Sequence, residues 1–145
     1  MSSLTPGQTP AFVCRIPVRW GDMDAYGHVN NTVYFRFFEE ARVQLIEQLA
    51  SGRIAGSNHG PVIVTANCAF LRPVLYPDTV RIDCYLADPG RSSFMIHYRL
   101  FSESQADSPA CTGESKVVWI DHTHGRSMAL PDYIRQAIPD SAPAV

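Results

Sequence analysis

The chain has 145 residues, with 12 basic and 14 acidic side chains and a formal net charge of −2. That is one domain's worth of sequence, too short for a (β/α)8 barrel of about 250 residues. The near-neutral balance excludes bulk attraction to nucleic acid, so a polyanionic ligand must be met by a local set of arginines.

Residues 1–10 and 139–145 are rich in Ser, Thr, Pro and Ala and predict flexible ends around a single domain over 11–138. The first ten residues have neither the basic nor the apolar region of a signal peptide. No apolar run approaches the roughly 20 residues that cross a bilayer. A cytoplasmic protein without a membrane partner is the expectation.

Phe12, Cys14, Ile16, Val18 and Trp20 alternate with Arg15, Pro17 and Arg19, the period of a half-buried strand. Pro17 cannot donate to a ladder, which puts this strand at an edge or a bulge in it. A polar, turn-rich stretch follows over 21–28, and Asn30 and Asn31 after it are N-cap candidates. A helix is predicted from about 31 to 50, where Tyr34, Phe37, Phe38, Ala41, Leu45 and Leu49 recur at three- and four-residue spacing. Ser51-Gly52 supplies its stop.

Four strands follow. Val62, Val64, Ala66, Cys68 and Phe70 are expected on one face of the first. Val80, Ile82, Cys84 and Leu86 mark the second, and Phe94, Ile96, Tyr98 and Leu100 the third. The fourth runs from Cys111 to Asp121. Tyr76-Pro77-Asp78, Asp88-Pro89-Gly90 and 104–109 carry the turn chemistry between them. Residues 131–138 predict a short terminal helix with Pro131 at its first position.

One strand, one long helix and four strands make an α+β fold, a curved antiparallel sheet of about five strands wrapped around the helix. A single helix covers a single face. The sheet's outer edge and face are left for a partner subunit.

The chemistry concentrates between Trp20 and Asn31, Trp-Gly-Asp-Met-Asp-Ala-Tyr-Gly-His-Val-Asn-Asn. Two carboxylates, a histidine and two asparagines stand between a strand end and a helix start. A helix N-terminus offers unsatisfied N–H groups and partial positive charge to an oxyanion. A carboxylate just upstream can face that point as nucleophile or as general base for water. Ester and thioester hydrolysis require that pairing. On the plainer reading Asp22 and Asp24 structure a turn and Asn30 caps the helix. A calcium loop fails at Tyr26, where an oxygen ligand belongs, and no Glu closes it.

The segment Arg19-Trp20-Gly21-Asp22-Met23-Asp24-Ala25-Tyr26-Gly27-His28-Val29-Asn30-Asn31, followed by Tyr34 and Phe38-Glu39-Glu40-Ala41-Arg42, resembles the hotdog-fold acyl-CoA thioesterases of the 4-hydroxybenzoyl-CoA thioesterase type. The resemblance covers about 12–122. It implies a hotdog fold and hydrolysis of an acyl-CoA thioester to a free acid and coenzyme A. Asp24 falls on the family's catalytic acid. The helix-start backbone donor falls at Asn31 by counting from Gly27, so the Asn31 side chain is not implicated. His28 and the asparagines are also similar to plant acyl-carrier-protein thioesterases, which carry an Asn two residues after the acid. Tyr26 departs from that, and His28 can take part in the chemistry or hold the loop by hydrogen bonding. Gly27, Asn30 and Tyr34 join the candidate substrate contacts.

The resemblance implies no cofactor, since coenzyme A belongs to substrate and product; the open sheet edge and single helix predict a homodimer or homotetramer with sites at the interface. For the phosphates of coenzyme A, Arg72, Arg91, Ser92 and Arg126 are candidates; each arginine is equally an ordinary surface residue. Trp20, Phe37, Phe38 and Phe70 line an apolar pocket or belong to the core. Asp121, His122 and His124 read as a solvated loop rather than a metal site. The four cysteines, Cys14, Cys68, Cys84 and Cys111, form no CxxC pair and read as packed, reduced thiols. Two other readings are kept: a hotdog-fold dehydratase of 3-hydroxyacyl thioesters and a non-catalytic acyl-CoA-binding protein.

Overall fold

The structure, a computed structural model, describes residues 7–140. The expected flexible ends therefore fall mostly outside the described residues. Strand β1 spans Phe12–Pro17, helix α1 Asn31–Ala50, and strands β2 to β5 span His59–Phe70, Thr79–Ala87, Ser93–Ser102 and Cys111–Asp121. A two-residue strand β6, Arg126–Ser127, and a four-residue helix α2, Asp132–Arg135, follow within the described residues. This is the hotdog fold expected, a curled antiparallel sheet holding one long helix.

The sheet order is β1-β3-β4-β5-β2, with β6 on the end of β5. Twenty helical residues rise roughly 30 Å, enough to carry the chain across the sheet. Strand β2 therefore emerges at the edge opposite β1, and β3, β4 and β5 fill the space between by hairpins. Pro17 sits on an edge strand opposite Thr79, where its missing N–H costs nothing.

The concave face is built from Val80, Ile82, Cys84 and Leu86 of β3 and Phe94, Ile96, Tyr98 and Leu100 of β4, all 1% exposed or less. Tyr34, Phe37, Phe38, Ala41 and Leu45 of α1 are buried against it, as their spacing predicts, and so are Ile46 and Ala50; Leu49 is half-buried. The Phe38 ring stacks on Tyr98 with centroids 4.5 Å apart. It comes so near β5 that a β-carbon at Gly113 would lie 2.7 Å from Phe38 Cε2. Helix α1 stops where Ser51 and Gly52 turn left-handed, at φ 50° and 81°.

Two expectations change. A bulge between Ile63 and Thr65 in the β2–β5 ladder breaks the alternation, so Val62 and Val64 do not share a face with Ala66, Cys68 and Phe70. At the other end of the chain, Pro131 occupies the N-cap of α2 rather than its first turn.

The junction leading to the loop between β1 and α1 is pinned at Asp78. Its carbonyl accepts the Val18 N–H at 2.8 Å, and its carboxylate accepts the Ser102 and Ser104 hydroxyls. Burial alone would raise the Asp78 carboxyl, but these bonds and N–H groups of Thr79 and Ser104 outweigh it and hold it below its ordinary value.

Candidate active site

Between β1 and α1 the chain makes a single turn of 3₁₀ helix, Trp20–Asp22, then a tight loop. Asp22 is 2% exposed and inward-facing. Its carboxylate accepts the Arg19 N–H at 2.8 Å and the Arg19 guanidinium at 3.0 Å, and its carbonyl accepts the Asn30 N–H at 2.9 Å. Asp22 thus takes the structural role that the plainer reading gives both aspartates.

Asp24 lies beyond it on an isolated antiparallel bridge, Met23 opposite Val29. The Asp24 N–H donates to the His28 carbonyl at 2.7 Å, and Gly27, at φ 85°, makes the return turn a β-carbon would strain. Asp24 Oδ1 accepts the N–H groups of Tyr26 at 2.8 Å and His28 at 3.4 Å. Both bonds use one oxygen. Oδ2 has no hydrogen bond among the described residues, which leaves it available to a ligand or water.

The loop runs directly into α1. Asn30 is its N-cap, accepting the Thr32 N–H at 3.0 Å and the Thr32 hydroxyl at 2.9 Å through Oδ1. The Val33 N–H turns back to the Asn30 carbonyl. The Asn31 N–H, the first of the helix, has no acceptor among the described residues, as expected of an orphan donor at a helix start.

A cleft of about 390 Å³ opens over these groups, lined by Asp24, His28, Val29, Asn31, Tyr34 and the segment 70–73. Tyr34 forms its floor, with its ring 5.1 Å from that of Phe70, edge to face. Burial pushes the Tyr34 phenol up, against a hydrogen bond from the Val74 backbone that lowers it, so it serves as a neutral wall. The Val29 N–H donates to the Val74 carbonyl at 2.9 Å, tying the loop to the strand connection that forms the far wall.

The structure thus brings together Asp24, His28, Asn31, Tyr34 and Arg72. Gly27 and Asn30 shape the loop beside the cleft without lining it. Arg72 points its guanidinium at Gln105, Asp107 and Ser108, so a ligand phosphate would have to compete with the Asp107 carboxylate. Arg91 and Ser92 follow the far end of β3, whose nine residues separate them from the loop by roughly 30 Å within one subunit. Their carbonyls accept from Leu130 and Trp119. Arg126 is on β6, paired with Asp121.

Phe37 and Phe38 are core residues, and Trp20 is 78% exposed outside the cleft. Leu71 and Pro73 line the cleft without a signal in their own sequence, because their place depends on β2 lying at the edge beside the helix start. The exposed loop after β5 holds an Asp121–His124 pair at 2.8 Å. Burial raises the Cys68 thiol beside Cys111 and pushes that of Cys84 up to about 12, leaving both poor nucleophiles. Among the described residues no helix is long and apolar enough to cross a membrane.

A carboxylate oxygen without a hydrogen bond and an unpaired helix-start N–H beside one cleft can activate water and hold a developing oxyanion. Residues 18–138 match the Thioesterase-like superfamily, and the chain belongs to it, an enzyme of the thioester hydrolase class. It is 36% identical over 125 residues to the long-chain acyl-CoA thioesterase FadM of Escherichia coli K12, covering 86% of this chain and 94% of that one. Among solved structures it is similar to the PA2801 protein from Pseudomonas aeruginosa, at 41% identity and TM-score 0.84 over 89% of this chain and 98% of that one. It is also similar to a thioesterase from Thermus thermophilus complexed with coenzyme A and Zn, at 28% identity and TM-score 0.74 over 88% and 97% of the two chains.

Proposed function

We propose that the protein is an acyl-CoA thioesterase of the 4-hydroxybenzoyl-CoA thioesterase type, cleaving an acyl-CoA to a free acid and coenzyme A at the Asp24 cleft. The observation that carries the reading is the shared cleft of Asp24, whose Oδ2 is unengaged, and the unpaired Asn31 N–H. The FadM and coenzyme A-bound relatives support acyl-CoA as the substrate class.

The thioester carbonyl oxygen is set on the Asn31 N–H, where the helix start stabilises the negative charge that develops on it. Asp24 Oδ2 either attacks the carbonyl carbon, giving a mixed anhydride that water opens, or takes a proton from water as it attacks. In both cases the tetrahedral intermediate collapses by breaking the C–S bond and expels the coenzyme A thiolate. The two N–H groups on Oδ1 fix the carboxylate without occupying its reacting oxygen. His28 contributes its backbone N–H and carbonyl to the loop and is among the residues that line the cleft.

Strand β2 is an open edge carrying exposed Val64 and Phe70, which supports a homodimer joined there. Thiol release measured over short, long and aromatic acyl-CoAs tests the reading. Asp24→Asn is expected to lower kcat by at least 10³-fold while the fold is retained. Turnover in H₂¹⁸O with label entering Asp24 identifies the anhydride route. An undiminished rate in Asp24→Asn overturns the mechanism, and tight acyl-CoA binding without thiol release makes the protein a binding module.

A further inference from the structure

A second cavity, of about 250 Å³, lies where α1 faces the first half of β2, lined by Arg42, Val43, Ile46, Ile54, Pro61 and Ile63. Arg42 follows Asn31 by eleven residues, roughly 16 Å along the helix axis, so this is not the carbonyl end of the cleft described above. The walls are aliphatic except at Arg42 and at Glu47 on the rim.

The arginine is under-satisfied. Arg42 Nη1 donates to Tyr98 Oη at 3.3 Å and Ser115 Oγ at 3.5 Å, both neutral hydroxyls. Those hydroxyls are tied to each other at 3.2 Å and fix the guanidinium from behind. Nε and Nη2 have no acceptor, and no carboxylate pairs with Arg42, among the described residues. A half-buried guanidinium against aliphatic walls, with a fork of donors left over, has the chemistry of a carboxylate receptor.

We propose that this cavity binds a small aliphatic or aryl monocarboxylate, with the carboxylate on Nε and Nη2 of Arg42 and the apolar body against Val43, Ile46, Ile54 and Ile63. A cavity of about 150 Å³ accepts benzene, so this one takes a body of roughly six to eight carbons. Glu47 repels a carboxylate at the rim, which orients the charged end toward Arg42 and disfavours a dicarboxylate. The ligand is of the class that thioester hydrolysis releases, but the site does not rest on that activity: a chain that released no thiol would still bind.

The test is an NMR titration of the full chain with octanoate and, separately, with 1-octanol. Octanoate is expected to shift the Val43, Ile46 and Ile63 resonances, and 1-octanol to bind there roughly tenfold or more weakly. Arg42→Gln is expected to erase that difference. Val43 is 53% exposed, so Val43→Trp keeps the fold and is expected to block both ligands at the cavity mouth. Equal affinity for octanoate and 1-octanol overturns the proposal, as do shifts confined to Tyr34 and Phe70. Failure of octanoate to bind also overturns it, and a change of oligomeric state in Arg42→Gln would then make a carboxylate on a second copy the partner of Arg42.

Discussion

Asn30 and Asn31 are adjacent and chemically identical, yet the structure gives them separate work. Asn30 spends its side chain on the helix cap, while the Asn31 side chain makes no hydrogen bond among the described residues. Asn31→Ala is therefore expected to leave kcat within about threefold of wild type. Asn31→Pro removes the donor alone. Proline is favoured at the first helical position, and the preceding residue, Asn30, already sits at φ −60° and ψ 138°, which a following proline accepts. Thiol-release kinetics on Asn31→Pro should show kcat reduced by roughly 10²–10³-fold, with circular dichroism and melting temperature near wild type. A Pro variant as active as the Ala variant would remove the helix start from the mechanism. At this scale the register of the helix start was legible in the sequence, because a cap followed by a periodic helix is local information. The residue pattern alone left Asp22 and Asp24 equivalent, and the family resemblance singled out Asp24. What separates them in the structure is that the buried Asp22 carboxylate bonds to Arg19 while Asp24 lines the cleft.

Among the elements, α1 follows its 3.6-residue period from Asn31 to Ala50, and the apolar positions expected in β3 and β4 are buried, with Asp83, Tyr85 and His97 between them buried as well. Strand β2 did not yield to the same reading. Its bulge is set by pairing with β5, forty to sixty residues away in the ladder, and no local pattern encodes a long-range register shift. Gly113 is the companion case on β5. Its missing β-carbon is what lets the Phe38 ring reach Tyr98 and carry α1 close to the sheet. Gly113→Ala would place a methyl group 2.7 Å from that ring, with the Asn67 carbonyl at 3.1 Å closing the other side. Overpacking of this kind costs about 2 kcal/mol, which for a domain of this size lowers the melting temperature by roughly 6 °C. Calorimetry on Gly113→Ala, Phe38→Leu and the double variant checks the cause: the smaller side chain should recover at least half of the loss. Additive effects would place the strain elsewhere.

For the whole molecule, the helix that covers the concave face leaves β2 as a twelve-residue edge. An open edge of that length with apolar side chains beside it is a pairing surface or an aggregation hazard. Val64, at the bulge, is 53% exposed, and Phe70 and Leu71 at the strand's end are 49% and 57% exposed. The last two also wall the Asp24 cleft, so a second copy seated along β2 would close the cleft that a single copy leaves open. Light scattering on the wild-type chain is expected to give at least twice the 16.1 kDa of one copy. Val64→Lys puts a charge where each copy would bury a valine, at about 1.5 kcal/mol per site. Two sites per pair raise the dissociation constant roughly a hundredfold. Because the substitution lies away from Asp24 and Asn31, any loss of kcat it causes should follow dilution below the dissociation constant and be recovered at high protein concentration. A variant that stays associated would move the interface off β2. A monomer with full activity would show instead that one subunit's cleft is sufficient.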